Sequence, residues 1–232
     1  ASEIPEDSFD EIIDGSRLLA IPGLINAHSH SPENLGRASH DRLPLEPWLF
    51  QMIYGLGEFS PEDHYFAALL GALETIKTGG TAILDHLTLP GGFKTEVFDA
   101  VLQAYRDIGI RARVAPLLRD PSPEVVATEI AQRFAPRIFG TEDAALPDPE
   151  EMFALVAETI QRWHGEADGR LRLHLGPGGI QWATIPFLRR CQEMARSFDG
   201  VGIHTHLMET RVQDQTIRKM HDGRTAVAMI RA

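Results

Sequence analysis

From residue 21 onward, short apolar runs alternate with stretches of helical periodicity, and few folds accept that pattern other than repeated β/α units around a parallel sheet. Five runs read as strands: GLINAHSH (23–30), TAILDHL (81–87), RARVAPLL (111–118), RLRLHLGP (170–177) and VGIHTHL (201–207). Helix signals fill the intervals. Ser60, Pro61 and Asp63 supply an N-cap, a first-turn proline and a capping-box acid ahead of apolar positions running to Ile76, and Gly79-Gly80 stops the helix. Segments 93–109, 148–165 and 184–198 repeat the pattern, and 122–136 predicts one more helix.

Two segments stand outside the alternation. Residues 1–20 place a turn at Asp14-Gly15 between two short strand-like pieces, too little to bury a core alone, and are expected to belong to a small flanking β-sheet domain completed by other chain segments. Residues 31–58 form a long connection containing LPLEPWLF, and structureless connections of that length commonly serve as active-site lids or binding loops.

With 232 residues, 43% hydrophobic and 24% charged, the chain can bury a core of ordinary size. A formal net charge of −11 without any Lys/Arg cluster argues against nucleic acid or an anionic membrane as partner, and suits a small neutral or cationic substrate. The single cysteine, Cys191, rules out an intrachain disulfide framework and lies in a helical pattern, so a reduced, cytoplasmic setting is expected. No basic-then-apolar leader and no apolar run near the ~18 residues of a membrane span is seen, so neither export nor anchoring is expected.

The chemistry lies at the ends of two of these runs. In an extended strand alternate side chains share a face, so His28 and His30 project together, away from Ala27 and Ser29. Two neutral imidazoles so placed are half of a site for zinc or another borderline divalent ion. Taken alone they are equally a hydrogen-bonded pair. VGIHTHLMET (201–210) repeats the spacing: His204 and His206 share a face, and Glu209 follows where a carboxylate can move protons between water and a leaving group. An acid there also suits a helix start. Two distant strands that both end in His-X-His favour a shared site, because parallel α/β architectures gather functional groups at strand carboxyl ends. Asp85 and His86 end the second strand and can line the same pocket or equally form a hydrogen-bonded supporting pair; Trp48 and Trp182 can stack on a flat heteroaromatic ring or simply pack.

PGLINAHSH and GIHTHLMET, with LPLEPWL, ETIKTGGTAILDH and LGPGGIQW in this order, resemble the amidohydrolase superfamily, specifically its cytosine deaminase, adenosylhomocysteine deaminase and triazine hydrolase branch. The resemblance implies an α/β fold, the TIM-type (β/α)8 barrel of metal-dependent hydrolases. It implies one catalytic divalent metal ion, zinc first and iron as the alternative, and hydrolysis of a C–N bond in a small heterocyclic substrate. It makes His28, His30 and His206 the metal ligands and Glu209 the proton-shuttling acid. His204 becomes a supporting residue, grouped with His86, Trp48 and Trp182 on the substrate side, although geometry alone leaves the roles of His204 and His206 interchangeable. A homo-oligomer is the family expectation.

The family's histidine after strand six and aspartate after strand eight have no counterpart here, since His221 and Asp222 stand in a helix-end context. Residues 21–232 are therefore expected to form the N-terminal part of the barrel, cut after strand five. Gly178 and Gly179 stand where adenosylhomocysteine deaminase relatives tend to carry a histidine, which shifts the expectation from a nucleoside toward a bare ring or another amino-substituted compound. Triazine dechlorination, alkylamine or guanidine hydrolysis, and a catalytically silent fragment are the alternatives.

Overall fold

The computed structural model describes residues 10–39, 42–55, 59–89, 93–120 and 148–231. Among them the apolar runs become strands β1 (Leu24–Ser29), β2 (Gly80–Asp85), β3 (Arg111–Val114), β4 (Leu117–Leu118), β5 (Leu171–Leu173) and β6 (Gly176–Pro177). Every pairing is parallel, in the orders β1-β2-β3-β5 and β4-β6. β3 and β4 are two halves of one predicted strand, as are β5 and β6. The first break falls at Ala115–Pro116, where proline has no N–H to give the ladder. Gly176 passes so close that a Cβ there would lie 2.3 Å from Pro116 O, which only glycine avoids.

The expected fifth strand, 201–207, is reduced to two parallel bridges, Leu175 to Ile203 and Gly179 to His206. Leu175 N–H donates to Gly202 O and His204 N–H to Leu175 O, both at 2.9 Å. Between the two bridges the ladder is interrupted at Pro177, which again lacks an N–H.

Helices α1 (Leu45–Gly55), α2 (Pro61–Lys77), α3 (Thr95–Ile108), α4 (Pro149–Trp163), α5 (Ile185–Ser197), α6 (Arg211–Met220) and α7 (Ala226–Ile230) connect and follow the strands. At α2 the Ser60 hydroxyl accepts from Asp63 N–H while the Asp63 carboxylate accepts from Ser60 N–H, the reciprocal capping box read from the sequence. At α4 to α7 the side chains of Asp148, Thr184, Thr210 and Thr225 each accept from a backbone N–H of the first turn, without the reciprocal bond. α3 ends on Gly109 at φ 81°, a left-handed position that favours glycine. The expected helix at 122–136 lies outside the described residues.

One expectation needs correction. The 31–58 connection is not structureless: a 3-10 turn covers Ser31–Gly36, and α1 forms from the apolar run after Pro44, with Glu46 in its first turn. Residues 10–20 hold the expected turn, with Leu18 N–H donating to Gly15 O at 3.0 Å, and residues 1–9 of the expected flanking sheet lie outside the described residues.

Ile83, Ala112, Val114, Leu171 and Leu173 face outward and pack against Phe98 and Tyr105 of α3, Phe153 and Ile160 of α4 and Phe187 of α5. Strand alternation sends the intervening residues to the opposite, inner face. Cys191 is buried in this core, and burial pushes its thiol up to about 12, which leaves it a packing residue. Among the described residues no helix is long and apolar enough to cross a membrane.

Candidate metal centre

The parallel register sets the cluster. Ser29 pairs with Asp85, and His86 N–H donates to Ser29 O at 2.8 Å, so the residues that follow β1 and β2 emerge side by side. On the far edge the Gly179–His206 bridge brings His206 to the same end of the sheet. Ring centroids of His28 and His30 lie 4.8 Å apart, those of His28 and His206 5.0 Å, His30 and His206 5.1 Å, and His86 and His206 4.5 Å. The two His-X-His motifs therefore meet in one place.

Hydrogen bonding fixes which nitrogen of each ring is free. His30 Nδ1 lies 2.6 Å from His86 O and His206 Nδ1 lies 2.7 Å from Gly178 O. A carbonyl only accepts, so both Nδ1 atoms carry the proton and both Nε2 atoms carry a lone pair. Those two Nε2 atoms stand 3.1 Å apart, facing each other. With both rings neutral neither can donate, and a cation shared by the two lone pairs relieves the contact. His28 Nδ1 is 2.7 Å from His204 Nε2, which leaves His28 Nε2 open. His86 Nε2 is 3.1 Å from Gly176 O, and its Nδ1 is buried with no hydrogen-bond partner. The ligand atoms of His28, His86 and His206 all lie within 4.8 Å of one another. A set of neutral imidazoles suits zinc and similarly borderline divalent ions, and these residues can hold one.

The electrostatics favour the same state. Burial is the main cause that lowers His30 to about 4, His86 to about 2 and His204 to about 4, with the neighbouring rings adding to it. His28 is lowered as well, by burial and then by His206, against a raising contribution from Glu209. These four rings are neutral at pH 7, the form in which imidazole binds a metal.

Glu209 stands just beyond the cluster, within electrostatic reach of His28. Its Oε2 accepts from Gln213 Nε2 at 3.1 Å, and its own N–H donates to Gln213 Oε1 at 3.0 Å. Gln213 is buried on α6, so the acid is gripped from a fixed helix. Met208, the residue before it, has φ 55°, a left-handed conformation that strains a side-chain-bearing residue and turns the chain sharply at this point. The Thr210 hydroxyl, which caps α6, also donates to the Glu46 carboxylate, tying α1 to the loop that carries Glu209.

Trp48 is half-buried on α1. Trp182 packs behind the cluster: a Cβ on Gly178 would touch its Cε3 at 3.2 Å, and the Arg119 guanidinium lies 5.8 Å from its ring centre. Its place is thus beside the residue whose carbonyl orients His206. Sequence reasoning missed Gln213, whose spacing of four from Glu209 behind a threonine cap was the available signal. It also missed Glu33. Burial, then the charges of Asp85 and Glu209, raise this acid of the 3-10 turn to about 8, so it is protonated at neutral pH. Nothing in SPENLG marks it as different from any loop acid.

Asp85, fully buried on the outer face, supports the chain behind His30. It accepts from Ser31 N–H at 2.9 Å and from the Tyr105 hydroxyl at 2.8 Å. Tyr105→Phe deletes the second donor and should lower unfolding stability by about 1–3 kcal/mol, measured as a shift in denaturant midpoint at constant slope. An unchanged midpoint would mean that the buried carboxyl needs no donor from α3.

Comparison with known proteins adds the lineage. The sequence pattern of the Amidohydrolase family matches residues 19–227. A 5-methylthioadenosine/S-adenosylhomocysteine deaminase of Syntrophomonas wolfei subsp. wolfei is 32% identical over 225 residues, covering 97% of this chain and 44% of its own length. Its counterpart from Halothermothrix orenii is 30% identical over 217 residues, covering 93% and 42%. Among solved structures, a mutant of the Arthrobacter aurescens TC1 atrazine chlorohydrolase complexed with zinc and atraton superposes with a TM-score of 0.80 at 22% identity, over 99% of this chain and 50% of that one. A zinc-bound adenosine deaminase from Xanthomonas campestris gives 0.69 at 22% identity, over 90% and 41%. The shared fold is the (β/α)8 barrel, and the parallel sheet with its outer helices is part of one. The chain spans less than half the length of the curated relatives it matches. It belongs to the amidohydrolase family.

Proposed function

We propose that this chain carries the metal centre of a hydrolase that cleaves C–N bonds, deaminating an amino-substituted heterocycle through attack of water on the ring carbon. The observation that carries this reading is the opposed pair of Nε2 lone pairs on His30 and His206, each locked by a carbonyl behind its ring. His28, His30 and His206 would hold the ion through Nε2, with zinc first and iron second. When bound, such an ion supplies Lewis acidity that brings the pKa of water toward neutrality. Glu209, held by Gln213, accepts the proton of the attacking water on its carboxylate and returns it to the departing amine. The buried Nδ1 of His86 would add a further nitrogen lone pair to the same cluster.

Two further facts support the substrate class. The two relatives at 30% identity or more described above are named as deaminases of adenine-containing compounds, which favours loss of ammonia over loss of chloride. The net charge of −11 suits a neutral or cationic ring. The test is metal content by elemental mass spectrometry on the purified protein beside its His30→Ala/His206→Ala variant. About one zinc or iron per chain, absent from the variant, is expected. A folded wild-type protein that takes up no metal when zinc is supplied overturns the reading.

A further inference from the structure

We infer that His204 is a positioning residue for the metal ligand His28, fixing which of its ring nitrogens faces the ion; the inference rests on the metal-centre reading above. The three rings His28, His30 and His206 each need an acceptor for the Nδ1 proton before Nε2 can serve as ligand. His30 lies past the end of β1, beside the carbonyl of His86, and uses it. His206 lies across from the Gly178 carbonyl and uses that. His28 sits two residues earlier, inside β1, the edge strand of the sheet. Its Nδ1 meets a side chain instead, Nε2 of His204, at 2.7 Å.

His204 is itself held by the main chain, its N–H donating to Leu175 O at 2.9 Å, so the acceptor is presented from a fixed backbone. With His28 Nε2 turned to the ion, His28 Nδ1 carries the proton and His204 Nε2 accepts it, which leaves the proton of a neutral His204 on Nδ1. The nitrogen of His204 that reaches the cluster is therefore already engaged, whereas His206 offers an open Nε2. The second His-X-His motif divides its labour: His206 contributes a ligand, and His204 orients a ligand contributed by the first motif.

The experiment compares zinc affinity, by competition with a chromophoric chelator, for the wild-type protein, His204→Phe and His204→Gln. The phenylalanine keeps a ring but removes the acceptor, and a loss of about 10–100-fold in zinc affinity is expected. Glutamine brings back a carbonyl oxygen within side-chain reach and should recover most of that loss, a rescue that a merely space-filling role does not give. Ring 15N shifts of His28 in the metal-free protein supply the second readout: Nδ1–H in the wild type and in His204→Gln, a mixture of tautomers in His204→Phe. Wild-type zinc binding that is indifferent to His204→Phe, with an unchanged His28 tautomer, overturns this inference and leaves the metal centre standing. Failure of the wild-type protein to bind zinc overturns both.

Discussion

Glu209→Gln is expected to keep about one metal ion per chain and to lower the rate of ammonia release by about 10²–10⁴-fold. The two side chains have the same shape, and the new amide oxygen can still accept from Gln213 Nε2, so the local grip survives. What disappears is the capacity to take and return a proton. Loss of the negative charge also removes the contribution that raises His28, so proton competition for that ligand weakens and metal retention is favoured. Steady-state ammonia release, read with elemental analysis of the same samples, separates the cases. Turnover within a few-fold of wild type would take Glu209 out of the chemistry, and loss of the ion would make it a ligand instead.

The second large effect is on stability. The metal-free protein should be most stable near pH 6.5 and weaken on both sides. His30 has its folded pKa at about 4, lowered by burial, against an ordinary value of 6.5 in the unfolded chain. Between these values the unfolded chain binds a proton that the folded chain refuses, so stability is complete above pH 6.5 and is lost as pH falls toward 4. For His30 alone this amounts to something on the order of 3 kcal/mol. His86, lowered to about 2, continues the same trend to lower pH, and the more exposed His204 adds less because water screens it.

Glu33 acts with the opposite sign. Its folded pKa is raised to about 8, so its contribution is complete below its ordinary value of 4.5 and is lost as pH rises through 8. Below pH 6.5 the several buried histidines outweigh it; above, it acts alone among these groups. Denaturant midpoints from pH 4 to 9 test the shape, and Glu33→Gln should flatten the alkaline limb. A profile that rises steadily from pH 6.5 to 9 would contradict the burial of that acid.

How much of this was legible in the sequence depended on whether the relevant atom belonged to a side chain at a regular spacing. His28 with His30, and His204 with His206, were visible because a strand repeats every two residues. The capping box at Ser60 was visible for the corresponding helical reason. The carbonyls of His86 and Gly178 were not, since every residue has one and only the three-dimensional register shows which ring faces it. Gln213 acts across one turn of helix from Glu209, and its spacing of four behind the Thr210 cap is the only local mark of that role. The run 201–207 carried a full strand pattern, yet Pro177, 24 positions away from Val201, decided that it pairs only at two bridges. The described part of the expected lid between 31 and 58 forms a turn and a helix that buries Met52.

The way the rings are anchored also sets how the centre tolerates genetic change. Two of the three imidazoles lean on peptide oxygens, which no codon can delete, so substitutions at those supporting positions act only through packing. The third leans on the side chain of residue 204, where a single base change can abolish the acceptor. On the positioning role proposed for His204, the replaceable support is a residue that is not itself a ligand.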